Sequence, residues 1–228
     1  MKISAVIFDL DGTLIDSMDV MQHAYVTAYH EVVGEGEPPP FSEYCRHLGR
    51  SFPEIMRRMG LPVAMHPVFV RESARNMHKI RLYPGVVALL EELSGSGVPL
   101  AIATGKDHAR SSNIAAHLQI EKYFRMILGS DQVACPKPAP EMALRIAAEL
   151  QLNPAHTLLV GDAMADILCG RSAGMYTALA TWSGGCADVQ RQAADFQLDR
   201  PDQILPLLRV EYADTVAGEW PQSFEAGR

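Results

Sequence analysis

Two carboxylates, Asp9 and Asp11, stand two residues apart where a short apolar run, Ala5-Val6-Ile7-Phe8, stops. Gly12-Thr13 follow at once. The run is brief, partly β-branched and closed by a turn signal, so it reads as a buried strand. Side chains two apart on a strand share a face, and a turn at Gly12 can re-aim Asp11. Two carboxylates so close repel unless positive charge lies between them. A hard divalent cation, Mg2+ above all, suits such oxygen ligands. A pair neutralised in this way can divide labour, one carboxylate attacking and the other moving protons. The same letters also fit an ordinary Asp-Gly hairpin turn.

Three further clusters carry chemistry. Thr104-Gly105 offers a hydroxyl and an unhindered backbone amide at a helix start, a fit for a phosphate oxygen. Lys137 sits between Pro136 and Pro138, which restrict the backbone around its ammonium. Asp162 and Asp166 are four apart, so that they fall on one face of a helical turn and face a cation together. Each has a plainer reading: a helix cap for Thr104, a solvated loop lysine for Lys137, and acids favoured by a helix N-terminus for the Asp pair.

The elements that must hold these groups follow from periodicity. Strands are expected at 98–103, 125–128, 156–161 and 176–181, and helices at 86–95, 107–118, 139–151 and 164–173. Strands alternating with helices mean a parallel sheet covered on both faces. In such sheets ligands bind at the carboxyl ends of strands, and that is where the candidate residues fall. Residues 17–82 read instead as wholly helical: a helix over 16–33, short pieces near 42–48 and 51–59, and a longer one over 65–80. The expected organisation is therefore an α/β core from 1–16 and 83–210, an inserted all-α domain over 17–82, and a loose tail over 211–228. Helices are also expected at 187–194 and 202–209.

Bulk properties narrow the partners. The 228 residues carry 20 Lys+Arg against 27 Asp+Glu, a net charge of −7. That balance disfavours nonspecific nucleic-acid binding. No run approaches the roughly 18 apolar residues of a membrane span, and the N-terminal apolar run is cut at Asp9 rather than forming a signal peptide. A cytoplasmic protein is expected. The four cysteines have no CxxC spacing, so buried free thiols are expected rather than a zinc site or disulfides. Cys135, beside the Pro-Lys-Pro run, is read as structural. A monomer and a homodimer both remain open.

Taken in order, Asp9-Leu-Asp11-Gly12-Thr13, Thr104-Gly105, Lys137-Pro138 and Gly161-Asp162-Ala-Met-Ala-Asp166 resemble the four motifs of the haloacid dehalogenase superfamily. The helical insert is similar to the C1-type cap of its phosphoglycolate phosphatase and β-phosphoglucomutase branch. Ala103-Thr-Gly-Lys106 with Pro136-Lys-Pro-Ala-Pro-Glu141 is also similar to phosphatases associated with aminohydroxybenzoate synthesis. The resemblance implies a Rossmann-like core and a phosphatase acting on a small phosphorylated metabolite. It implies that Asp9 attacks phosphorus and that Asp11 protonates the leaving alcohol, then activates water. It assigns the phosphate to Thr104, Gly105 and Lys137. It assigns Mg2+ to Asp9, the backbone carbonyl of Asp11 and Asp162, with Asp166 in support. Arg50, in Gly49-Arg50-Ser51, lies where such caps reach the substrate, and its planar fork suits a carboxylate or phosphate. The segments near 15–20 and 81–85 are candidate hinges for cap closure. Gly105 stands where phosphoglycolate phosphatases commonly carry Asn before the Lys, which weakens the case for phosphoglycolate itself.

Among rivals, a dehalogenase of this fold needs no metal and generally lacks the second carboxylate supplied here by Asp11. A phosphonate hydrolase needs a cap lysine, and the insert holds only Lys79, at its far end. A sugar phosphate mutase, or a non-catalytic binding protein on the same fold, remains an alternative.

Overall fold

The computed structural model describes residues 3–184 and 193–209. Its centre is a six-stranded parallel sheet built from β1 (Ala5–Phe8), β4 (Leu100–Thr104), β5 (Met126–Gly129), β6 (Thr157–Gly161), β7 (Tyr176–Ala180) and β8 (Phe196–Leu198). The strand order is β5-β4-β1-β6-β7-β8. The order reverses at β1, with β4 on one side and β6 on the other. A crevice forms outside the strand ends at such a switch point, and Asp9 is the residue directly after β1.

Alternation along the strands divides the core between two faces. Val6, Phe8, Leu100, Ile102, Leu158 and Val160 pack with Leu89, Leu90 and Leu93 of α5 (Val86–Gly95) and Ile114 of α6 (His108–His117). Ile7, Ala101, Ala103 and Leu159 face the other way, onto Met142 and Ile146 of α7 (Glu141–Glu149) and Cys169 of α8 (Met164–Ser172). Strands covered on both sides are apolar at nearly every position, which is why the expected strands read as continuous runs.

Between β1 and α5 lies the helical insert: α1 (Met18–Val32), α2 (Phe41–Cys45), α3 (Phe52–Arg58) and α4 (Met65–Arg75). It has its own core, in which Met21, Tyr25, Tyr44, Phe52, Ile55, Met56, Met65 and Phe69 are buried. The rings of Phe52 and Phe69 lie 4.3 Å apart between centroids, and those of Tyr25 and Tyr44 5.5 Å. Aromatic pairs at these separations add to simple area burial.

Several expectations are revised. The helix over 65–80 stops at Arg75, and a 3-10 turn covers Met77–Lys79. Residues 17–82 are not wholly helical, because Arg81–Leu82 (β3) pairs antiparallel with Ile15–Asp16 (β2). This ribbon ties the two crossings between insert and core where hinges were expected; two residues per strand are too short for a periodicity signal. Strand β8 was not anticipated, and the 202–209 helix resolves into a 3-10 turn at Pro201–Gln203 and α9 (Ile204–Arg209). Cys169 is buried as expected but Cys135 is exposed. Most of the helix expected at 187–194, and the tail 211–228, lie outside the described residues. Among those described, no helix is long and apolar enough to cross a membrane.

Candidate active site

The turn after β1 fixes the first carboxylates. Gly12 has φ +73°, a conformation disfavoured for residues with a Cβ. A Cβ there would run into the Asp162 carboxylate. Glycine therefore serves twice, allowing the turn and letting the β6 end approach. The loop closes through Gly12 N–H to the Ile15 carbonyl at 2.9 Å, and Trp182 Nε1 donates to the Thr13 carbonyl at 2.9 Å.

Lys137 is delivered from the loop before α7. Glu141, in that helix's first turn, accepts from the N–H groups of Ala134 at 3.0 Å and Cys135 at 2.6 Å. The Lys137–Pro138 bond is cis. With its residue fully buried, the ammonium donates to Asp9 Oδ1 at 2.7 Å, Asp166 Oδ1 at 2.5 Å and the Ala103 carbonyl at 2.8 Å. Three donors meet three acceptors, which is what a buried ammonium requires.

Asp9, Asp162 and Asp166 each present an oxygen within 4.8 Å of the others. Asp166 Oδ2 also accepts from Ala163 N–H at 3.1 Å, so both its oxygens are engaged. One ammonium cannot neutralise three carboxylates. Burial, opposed by Lys137 but reinforced by Asp166 and Asp11, pushes Asp9 up to about 7. Burial and the neighbouring carboxylates push Asp162 well above the usual range as well. Burial alone would lower Lys137, but the charges of Asp166 and Asp9 outweigh it and keep the ammonium protonated. An all-oxygen set with excess negative charge fits a hard divalent cation.

Asp11 lies outside that triad. Its two oxygens accept from Ser17 Oγ and Lys106 Nζ. Burial would raise Asp11, but the Lys106 charge and these hydrogen bonds leave it below the usual range. Lys106 was not singled out as a site residue by sequence; its only signal was its place after Thr104-Gly105. Thr104 is fully buried, and its Oγ1 accepts from Lys106 N–H at 3.2 Å.

Above the strand ends, the insert touches the core. Gly105 lies against the Arg50 carbonyl so closely that a Cβ would overlap it. Gly49, at φ +82°, has space for a Cβ only at 3.0 Å from that of Ala165 and 3.1 Å from that of Ala163. Beneath is a cavity of about 30 Å3 lined by Asp9, Asp11, Lys106, Arg50 and Arg110, together with apolar side chains of the insert. The Arg50 guanidinium hydrogen-bonds Glu54 Oε1 at 2.6 Å and thus has a partner already. A groove of about 420 Å3 runs along the seam outside, with Gly105, Phe52 and Arg110 in the wall shared by both spaces.

A family model of haloacid dehalogenase-like hydrolases matches residues 6–180. The chain belongs to this family. This haloacid dehalogenase-like hydrolase is 33% identical over 206 residues to a Dickeya dadantii protein named "Probable phosphatase IndB", with 85% of this chain and 87% of that one covered. It is 32% identical over 205 residues to a phosphoglycolate phosphatase of Aquifex aeolicus, covering 89% and 95%. The crystal structure of a hydrolase from Pseudomonas syringae matches with TM-score 0.78 at 26% identity, covering 90% of this chain and 97% of that one. The expected α/β fold and the expected enzyme class, a phosphatase-like hydrolase of this family, are both supported.

Proposed function

We propose that this hydrolase is a Mg2+-dependent phosphatase of small phosphomonoesters, working through an aspartyl phosphate on Asp9. The observation that carries the proposal is the clamp on Asp9: its Oδ1 is held at 2.7 Å by Lys137, which also binds Asp166, while Asp162 closes an oxygen triad within 4.8 Å. One carboxylate is thereby oriented at a strand end, facing a closed space, with cationic support beside it.

In this reading Asp9 attacks phosphorus and the bond from phosphorus to the leaving oxygen breaks. Asp11, which must first take up a proton from solvent as substrate enters, gives that proton to the leaving oxygen. Asp11 then takes a proton from water as the water attacks the phosphoenzyme, and inorganic phosphate and free Asp9 result. Lys106 and Ser17 favour the carboxylate form of Asp11, which suits the second, base step. Thr104, Gly105 and Lys137 are assigned to the phosphoryl oxygens, with the Lys137 ammonium exchanging one of its three present acceptors for a phosphoryl oxygen. Mg2+ would be held by Asp9, Asp162 and the Asp11 backbone carbonyl, with Asp166 in support, and would neutralise charge on the phosphoryl group. The helical insert is assigned as a cap. A cavity of about 30 Å3 admits one or two waters rather than a substrate, so the cap must lift for entry and closes to exclude bulk water. Arg50 is carried at the tip of that cap.

The test is Asp9→Asn. It is expected to abolish phosphate release across a panel of phosphomonoesters while leaving the circular dichroism spectrum and unfolding midpoint near wild type. Substantial turnover by the purified variant would overturn the assignment.

A further inference from the structure

The cavity opens on the Asp11 side of the site: Asp9 and Asp11 line it, whereas Asp162 and Asp166 do not. In the mechanism proposed above that side belongs to the leaving group. Two cations of the core face it, Lys106 and Arg110. Lys106 is occupied by Asp11. Arg110, on the first turn of α6, is not similarly taken up. Its side chain is 92% buried, because only 8% remains exposed. Yet its Nε and Nη1 atoms are buried without a hydrogen-bond partner.

What surrounds Arg110 does not satisfy it. Its guanidinium carbon lies 5.3 Å from the centroid of the Phe69 ring of the cap, a cation–π contact that supplies no acceptor. Asp107 Oδ2 forms an ion pair with Nε at 3.3 Å, which offsets the charge, but it is out of line for a hydrogen bond and both atoms keep their hydrogen-bonding capacity unfilled. Asp107 Oδ1 is spent on the N-cap, accepting from Arg110 N–H at 2.9 Å. Buried guanidinium donors are normally paired, and an unpaired set is costly unless a ligand completes it. Arg110 belongs to the wall common to the inner cavity and the seam groove. A leaving group attached at phosphorus and extending outward must pass it. The other walls of the inner space are mostly apolar, from Met21, Leu48, Phe52, Ile55 and Phe69, with the Tyr44 hydroxyl as the one neutral polar side-chain group among them.

We propose that Arg110 is a specificity-determining residue that binds a second acidic group, a carboxylate, on the alcohol portion of the phosphomonoester. The substrate class is thus a compact organic phosphate with an apolar middle and a carboxylate beyond the scissile oxygen. The carboxylate would accept from the planar guanidinium fork, a geometry that a lysine ammonium does not offer. The inference rests on the phosphatase reading, and its test separates the two.

Phosphate release is measured for 3-carboxyphenyl phosphate against 3-carbamoylphenyl phosphate, esters alike in shape but not in charge, and for the aliphatic pair phosphoglycolate and 2-hydroxyethyl phosphate. Wild type is expected to prefer the carboxylated member of at least one pair by about 10- to 100-fold in kcat/KM, the range of one or two charge-assisted hydrogen bonds. In Arg110→Gln that ratio should fall toward one, chiefly through KM. Arg110→Lys should restore part of it. A purely structural role would depress both members alike and keep the ratio. An unchanged ratio in folded Arg110→Gln, or no preference in wild type, overturns the assignment of Arg110 and leaves the phosphatase intact. If the Gln variant fails to fold, the wild-type ratio and the Lys variant decide. No phosphate release from any probe would sink the phosphatase reading and this inference with it.

Discussion

Lys137 Nζ and Asp9 Oδ1, 128 positions apart in sequence, lie 2.7 Å from each other with both residues almost wholly buried. The contact joins the loop before α7 to the end of β1. It is also the only positive charge directly bonded to the triad among the described residues, since Lys106 binds Asp11 instead. Replacing Lys137 by Met is expected to leave three buried carboxylates uncompensated. Breaking a buried pair by removing one partner costs about 3–5 kcal/mol. Chemical denaturation should show a loss of that order, with recovery when Mg2+ is added. A variant as stable as wild type in EDTA would contradict the charge balance described for the site.

Metal dependence should itself depend on pH. Asp9 is raised to about 7 and Asp162 is raised well above its ordinary value, mainly by burial. Groups raised in the folded state bind more protons than in the unfolded chain, so their contribution to stability falls as pH rises from about 4 through 7. A cation competing for the same oxygens reverses that loss. The shift in Tm between Mg2+ and EDTA, followed by scanning fluorimetry, should therefore be larger at pH 8 than at pH 6. In Asp9→Asn the difference between those pH values should shrink. A Mg2+ effect independent of pH would argue against these carboxylates as its origin.

The proposed closure of the helical insert over the site can be tested at Gly105. Its missing Cβ leaves room for the Arg50 carbonyl. Gly105→Ala is expected to hold the cap away from the core with little change in global stability, because the clash lies at the seam rather than within either core. Turnover should fall by about tenfold or more, since small misplacements in a closed site are expensive. Protection of the Gly49–Arg50 segment from hydrogen exchange should fall with it. Unchanged kinetics would show that the contact is not part of the working cycle.

How much of this was legible beforehand follows from where the physics resides. Apolar runs that stop at Asp9, Thr104 and Asp162 announce buried strands ending in reactive groups, because period and composition are local properties of a chain. Those runs yielded the parallel α/β core and the residues now found around Asp9, and helical spacing of apolar residues yielded the helical character of most of the insert. The β2–β3 ribbon escaped notice because two residues carry no period. The predicted 65–80 helix ran too far, since a 3-10 turn uses the same residue types as the helix it follows.

The amino-acid sequence by itself determined which groups could react and that strand ends would gather them. Only the tertiary structure decided which charges cancel. It set Lys106 against Asp11 across 95 positions, and left Arg110 buried beside Phe69 with donors unsatisfied. The reason is physical: a charge's partner is fixed by distance in space and by exclusion of water, and neither is encoded in spacing along the chain.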